Sequence, residues 1–185
     1  RASSLTAFYT HPEITSAMYS ALYQMGFRNG NILEPSCGVG NFIGSIPESM
    51  SDSKVYGVEL DSISGRIAQQ LYQNSNIAVT GFEKVNIPDS FFDVAIGNIP
   101  FGDFKVLDKR YDKHHFLIHD YFFAKALDKV RPGGVVAFIT SKGTMDKENP
   151  AVRKYLAQRA DLIGAIRLPN NAFKKNAGTE VTADI

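Results

Sequence analysis

Cysteine is nearly missing from this chain: Cys37 stands alone among 185 residues. A disulfide framework and a multi-cysteine zinc site are both excluded, and the usage fits a reducing compartment such as the cytoplasm. Long apolar runs are missing too. The longest, Val135-Val136-Ala137-Phe138-Ile139, is far short of the roughly 20 residues of a membrane span. No basic segment followed by an apolar one opens the chain, so no secretory signal is visible. Internal repeats and low-complexity tracts are absent. Neither sign of charge is in excess, at a formal net charge of +1. The distribution is uneven, however: residues 1–92 carry 5 basic and 8 acidic side chains, and residues 93–185 carry 15 and 11. The second half either faces a polyanion or presents solvated helix faces. The chain starts at Arg1 instead of Met, and Glu180-Val181-Thr182-Ala183-Asp184-Ile185 reads as the start of a strand. Both features predict a piece of a longer protein.

What is present is ordinary globular material. Hydrophobic residues make up 44% and charged residues 21%, which argues against disorder. The length predicts one domain, residues 1–185, with a core that needs no staples. Short apolar runs alternate with helical periods. Helices are predicted at Pro12 to Met25 (capped by Thr10, stopped by Gly26), Val39 to Ile46, Ser62 to Gln73, Phe116 to Val130 and Asn149 to Arg159. Ile63, Ile67 and Leu71 form one stripe of the third. Strands are predicted at Asn31 to Glu34, Lys54 to Glu59, Ile77 to Thr80, Phe92 to Ile96, Val135 to Thr140 and Leu162 to Leu168. Strands this apolar are buried on both faces, so the fold class is α/β, a doubly wound and mostly parallel sheet. Ligands of such sheets bind beyond the carboxyl ends of the strands.

Three of those ends carry chemistry. Between the first strand and its helix lies Glu34-Pro35-Ser36-Cys37-Gly38-Val39-Gly40-Asn41-Phe42. Gly38 and Gly40 let the backbone approach a ligand, but the third glycine of a dinucleotide fingerprint is missing. Glu34 would repel a pyrophosphate and accept a cation. Glu59 closes the second strand, where an acid receives ribose hydroxyls; its other reading is a helix cap, a task for which Asp61 is better placed. Gly97-Asn98-Ile99-Pro100-Phe101-Gly102 follows the fourth strand. It offers an amide carbonyl and a stacking face, suited to a planar group with an amino donor.

Together these segments resemble the class I S-adenosylmethionine-dependent DNA amino-methyltransferases, the adenine-N6 type in particular. Glu34 to Phe42 is similar to their glycine motif, and Asn98-Ile99-Pro100-Phe101 to their catalytic N-P-P-F/Y. Phe8-Tyr9-Thr10-His11-Pro12 resembles the upstream segment that contacts the methionine carboxylate. That order matches the γ arrangement. Leu162 through Ile166-Arg167-Leu168-Pro169 to Phe173, then Gly178-Thr179, is similar to a late segment of type I modification subunits and helicase-linked methylases. Two departures stand out. Ile99 replaces a Pro, and Gly81-Phe82 stands where the family has Asp-Phe, so Glu83 would have to replace the Asp.

The resemblance implies a Rossmann-like, mostly parallel seven-stranded sheet with helices on both faces. It implies S-adenosyl-L-methionine as cofactor, held by Tyr9, Thr10, Glu34, Ser36, Cys37, Gly38, Gly40, Phe42, Glu59, Leu60, Phe82, Glu83 and Asn98. Catalysis falls to Asn98, Ile99, Pro100 and Phe101, and no metal is needed. The implied substrate is double-stranded DNA with its target adenine flipped out. The implied partners are other domains of the parent chain, a recognition domain and possibly a helicase. Asn at position 98 favours adenine N6 over cytosine N4 on family grounds. The position of Cys37 beside the cofactor argues against cysteine-nucleophile chemistry. Methylation of a protein glutamine or an RNA base amine, and a non-catalytic binding module, are the alternatives. A nicotinamide oxidoreductase is opposed by the missing third glycine. Elsewhere, His115 and His119 have helical spacing for a metal pair but lack a third ligand, and the bland reading is structural. Lys105, Lys109, Arg110 and Lys113, interleaved with Phe104 and Tyr111, form either a DNA-contact loop or a solvated one. Tyr121-Phe122-Phe123 reads as core.

Overall fold

The computed structural model describes residues 10–170, 172 and 182–185. Five strands pair in parallel: β1 (Asn31–Glu34), β2 (Lys54–Glu59), β3 (Asn76–Val79), β4 (Phe92–Asn98) and β5 (Val130–Ser141). β6 (Ala183–Asp184) runs antiparallel to β5. The sheet order is β3-β2-β1-β4-β5-β6. The chain reverses direction of build between β1 and β4, which places a switch-point crevice beyond their carboxyl ends.

Side chains alternate to opposite faces of each strand, and helices cover both. Ile32, Val94 and Ile96 pack with Met18, Tyr19 and Leu22 of α1 (Pro12–Gln24). Leu33 and Ala95 face the other way, toward Phe122 and Ala126 of α4 (Ile118–Lys129). α2 (Asn41–Gly44) and α3 (Ser62–Leu71) follow β1 and β2, and α5 (Gly143–Asp146) and α6 (Ala151–Ala157) follow β5. This is the expected doubly wound sheet. Tyr121 and Phe122 are buried in it as expected. Among the described residues no helix is long and apolar enough to cross a membrane.

The sheet has six strands among the described residues, where the resemblance implies seven. Two expectations, a strand and a helix cap, are corrected. Leu162 to Leu168 is not a strand: Arg167 alone bridges to Asp184, with Leu168 N–H bonded to the Ala183 carbonyl at 2.8 Å. A two-residue partner supports a bridge and no ladder, and Leu162 and Ile163 stay more than 70% exposed. His11, not Thr10, caps α1, its Nδ1 accepting the Glu13 N–H at 3.4 Å; the Thr10 hydroxyl serves Asn98 instead. The Ile63-Ile67-Leu71 stripe of α3 points outward. Gly65 and Ala68 face the sheet, because α3 approaches so closely that a Cβ at Gly65 would meet Val79 Cγ2 at 2.9 Å. Helix periodicity shows that a face exists, and packing distance decides which face is buried.

Candidate active site

The carboxyl ends of β1, β2 and β4 deliver Glu34, Glu59 and Asn98 to one edge. The glycine loop lies between them and is fastened to β2. Cys37 N–H donates to the Val58 carbonyl at 2.9 Å, and Gly38 N–H donates to Glu59 Oε2 at 2.7 Å. The other oxygen, Glu59 Oε1, accepts the Asp61 N–H at 2.7 Å. Asp61 caps α3, accepting the Ser64 N–H at 2.8 Å, as expected. Gly38 (φ +55°) and Gly40 (φ +91°) hold left-handed conformations that favour glycine. A Cβ at Gly38 would meet nothing within 4 Å, whereas one at Gly40 would run into the Tyr72 ring. Open space at Gly38 leaves the loop backbone reachable by a ligand.

Glu34 is buried, and its Oε2 meets no hydrogen-bond donor. Burial raises its carboxyl well above the usual carboxylate range, and the neighbouring Glu59 charge adds to that; a hydrogen bond from the Ile43 amide opposes it. Between the unfolded and the raised folded value the native state holds the extra proton, so stability falls as pH rises through that window. Glu34→Gln keeps the shape and cannot ionise. It is expected to raise the Tm of the ligand-free protein near about pH 8 and to lose that gain toward about pH 4. Thermal melts across that range check this, and a variant no more stable at the alkaline end would contradict it.

Asn98 is where separate segments meet. Its backbone carbonyl accepts the Ser36 Oγ–H at 2.9 Å, and its Nδ2 donates to Thr10 Oγ1 at 3.3 Å. Ile99, the departure from the family turn, is 1% exposed. Its N–H donates to the Ile139 carbonyl at 3.1 Å, a bond that Pro could not make. The substitution thus extends the β4–β5 pairing by one residue and anchors the turn in the core. Pro100 and Phe101 are half-buried.

The remaining expected residues divide. Cys37 lies buried within the loop, and burial together with Glu34 and Glu59 pushes its thiol upward, which suits an inert packing residue. Leu60 is 74% exposed. Phe42 packs beneath α1, and Phe82 packs against Tyr121 and Phe122, so both rings belong to the core, not to the crevice surface. Glu83 folds back over Gly81, where a Cβ would meet its carboxylate. Tyr9 lies outside the described residues, as do Phe8, Phe173, Gly178 and Thr179. Arg110 does not reach outward: it pairs with Asp89 at 2.7 Å and Asp128 at 2.9 Å, and Tyr111 beneath it is buried. His119 is buried against Asp120 and Lys147. Among the described residues no group of three His, Cys, Asp or Glu side chains could hold a metal. The ion pair of Asp108 with Lys125, at 2.9 Å, was not legible in the sequence. The one available signal was a lysine amid the apolar residues of a core helix.

The sheet order and the glycine loop define the class I methyltransferase fold. A solved structure from Vibrio vulnificus YJ016, described as a modification subunit of a type I restriction enzyme, matches 99% of this chain and 44% of its own (TM-score 0.80, 18% identity). The N-methyltransferase NodS from Bradyrhizobium japonicum WM9, in complex with S-adenosyl-l-homocysteine, matches 98% of this chain and 87% of its own (TM-score 0.64, 10% identity). The family described as Eco57I restriction-modification methylase matches residues 45–173, and the chain belongs to it. Defense against restriction protein B of Escherichia phage P1 is 32% identical over 98% of this chain, and the chain spans 8% of that protein. Type II methyltransferase M.CvrRI of Paramecium bursaria Chlorella virus XZ-6E is 35% identical over 51% of this chain, which spans 24% of it.

Proposed function

We propose that this chain is the catalytic domain of a DNA methyltransferase. It would move a methyl group from S-adenosylmethionine to the exocyclic N6 amine of adenine in double-stranded DNA. The observation that carries the reading is the junction at Asn98, where the upstream segment (Thr10), the glycine loop (Ser36) and the catalytic turn are hydrogen-bonded together. Membership in a methylase family supports it.

The residues fit the cofactor. The buried, undonated Glu34 Oε2 suits a cationic group, and Glu59, at the end of β2, suits ribose hydroxyls. The open side of Gly38 admits close backbone contact, and exposed Leu60 offers an apolar face. When bound, the cofactor supplies an electrophilic methyl on a sulfonium.

The chain's task is to present a poor nucleophile to that methyl. The adenine amine has its lone pair delocalised into the ring. An amide oxygen has two lone pairs, so the Asn98 carbonyl accepts one amine N–H. The backbone carbonyl of Ile99 or Pro100 accepts the other. The nitrogen would become tetrahedral with its lone pair toward the methyl; as the N–C bond forms, the sulfonium S–CH3 bond would break to leave a thioether, and the product amine would shed a proton to water. Positioning of this kind contributes roughly 7–11 kcal/mol. Extruding the base costs about a few kcal/mol, and stacking on Phe101 offsets roughly 1–3 kcal/mol of it. Sequence recognition and most of the DNA grip fall to other domains of a longer cytoplasmic protein, since a net charge of +1 supplies few phosphate contacts.

The test is an acceptor survey with methyl-labelled S-adenosylmethionine. Label is expected in unmodified DNA. Label confined to protein or RNA would overturn the assignment.

A further inference from the structure

Lys125 sits in the middle of α4 and is 5% exposed. Lysine is almost never buried without a partner, and this one has two, on different loops. Nζ donates to the Phe82 carbonyl at 2.7 Å and to Asp108 Oδ2 at 2.9 Å, and lies 5.0 Å over the Phe82 ring. Phe82 belongs to the loop after β3, and Asp108 to the loop that continues the Asn98–Phe101 turn. Asp108 in turn organises its own loop. Its Oδ1 accepts the Arg110 N–H at 3.2 Å, and its carbonyl accepts the Tyr111 and Asp112 amides at 2.8 and 2.9 Å. One turn earlier on α4, Tyr121 donates its hydroxyl to Asp108 Oδ2 at 2.9 Å. One turn later, Lys129 holds the Ile87 carbonyl and Asp89, both at 2.7 Å. This face of α4 is a rail to which both loops are fastened; Lys125 ties Phe82 to Asp108 with one group, and Arg110 ties the Asp108 loop separately to Asp89, farther along the same connection.

We infer that Lys125 is a positioning residue for methyl transfer: its single ammonium sets the loop of Phe82 and Glu83, on the cofactor side, against the Asp108 loop on the acceptor side. This role rests on the proposed function; the loop after β3 lies at the same carboxyl edge as Glu59 because β3 pairs in parallel with β2, with Val79 opposite Glu59. It predicts that cofactor binding is felt in the Asp108 loop and that the signal runs through Lys125.

Hydrogen–deuterium exchange and calorimetry with S-adenosylmethionine test this on the wild type, Lys125→Met, Lys129→Met and Asp108→Asn. In the free protein, Lys125→Met is expected to speed exchange in both 81–84 and 108–112, and Lys129→Met only in 87–91. With S-adenosylmethionine, the wild type gains protection in 36–40, 81–84 and 108–112. Lys125→Met gains it in 36–40 alone and binds roughly tenfold more weakly, the scale of one charge-assisted hydrogen bond. Cofactor-linked protection of 108–112 that persists in Lys125→Met would overturn the role. So would a variant that loosens one loop only. Should Lys125→Met fail to fold, Asp108→Asn decides. Loss of the linked protection at 108–112 with affinity kept within about threefold supports the role, and retained protection overturns it. A wild type that binds no S-adenosylmethionine would overturn the proposed function itself, and this role with it.

Discussion

Asn98→Ala is expected to lower methyl transfer roughly 100-fold or more, the loss typical when one preorganised polar group leaves a reacting centre, while cofactor affinity stays near the wild-type value. The variant removes the amide that is proposed to accept the target amine. It leaves the backbone carbonyl that holds Ser36 and the buried Ile99 anchor, so the turn and the glycine loop keep their relation. The side-chain bond to Thr10 is lost as well. Thr10→Val separates that contribution: it should cost far less turnover than Asn98→Ala if the amide acts on substrate. Turnover at saturating S-adenosylmethionine, set beside a calorimetric dissociation constant, checks the prediction. Near-normal turnover in Asn98→Ala would remove Asn98 from the chemistry.

Glu59→Ala is expected to show the opposite pattern, a large loss of cofactor affinity with turnover at saturation little changed. Hydrogen bonds to a charged acceptor are each worth about 1.5–3 kcal/mol, so losing the proposed ribose contacts should raise the dissociation constant by one to two orders of magnitude, at about 1.4 kcal/mol per decade. The same carboxylate braces the glycine loop through the Gly38 N–H and receives the Asp61 N–H, so the variant loosens the cradle too. Glu59→Gln retains one acceptor oxygen and should fall between. An unchanged dissociation constant in Glu59→Ala would place Glu59 in the scaffold alone.

Much of the arrangement was legible because local chemistry dictates it. Asn31–Glu34 and Lys54–Glu59 were read with their observed bounds, since short apolar runs between turn residues have few other uses in a two-faced sheet. The loops at their carboxyl ends then had to carry any site. The side-chain directions were not legible. Phe42 and Phe82 sit beside ligand-type motifs in the chain yet point into the two cores, and adjacency in sequence says nothing about which face a ring takes. Ile63, Ile67 and Leu71 show the converse, a regular apolar stripe left outside by a helix that packs through Gly65 and Ala68. The Ser36–Asn98 and Lys125–Asp108 contacts join residues far apart in the chain, and no spacing rule links them. Ile99 is the informative case. In the sequence it stands only as a departure from the motif, but in the fold its N–H completes a strand pairing that a Pro there would forgo.

The most direct measurement is the identity of the methylated base. Unmodified DNA is incubated with the wild-type chain and methyl-labelled S-adenosylmethionine, digested to nucleosides and resolved by chromatography with mass detection. The label should co-migrate with N6-methyldeoxyadenosine and fall roughly 100-fold or more in DNA treated with Asn98→Ala. Label in N4- or C5-methyldeoxycytidine, or equal labelling by Asn98→Ala, would contradict the account.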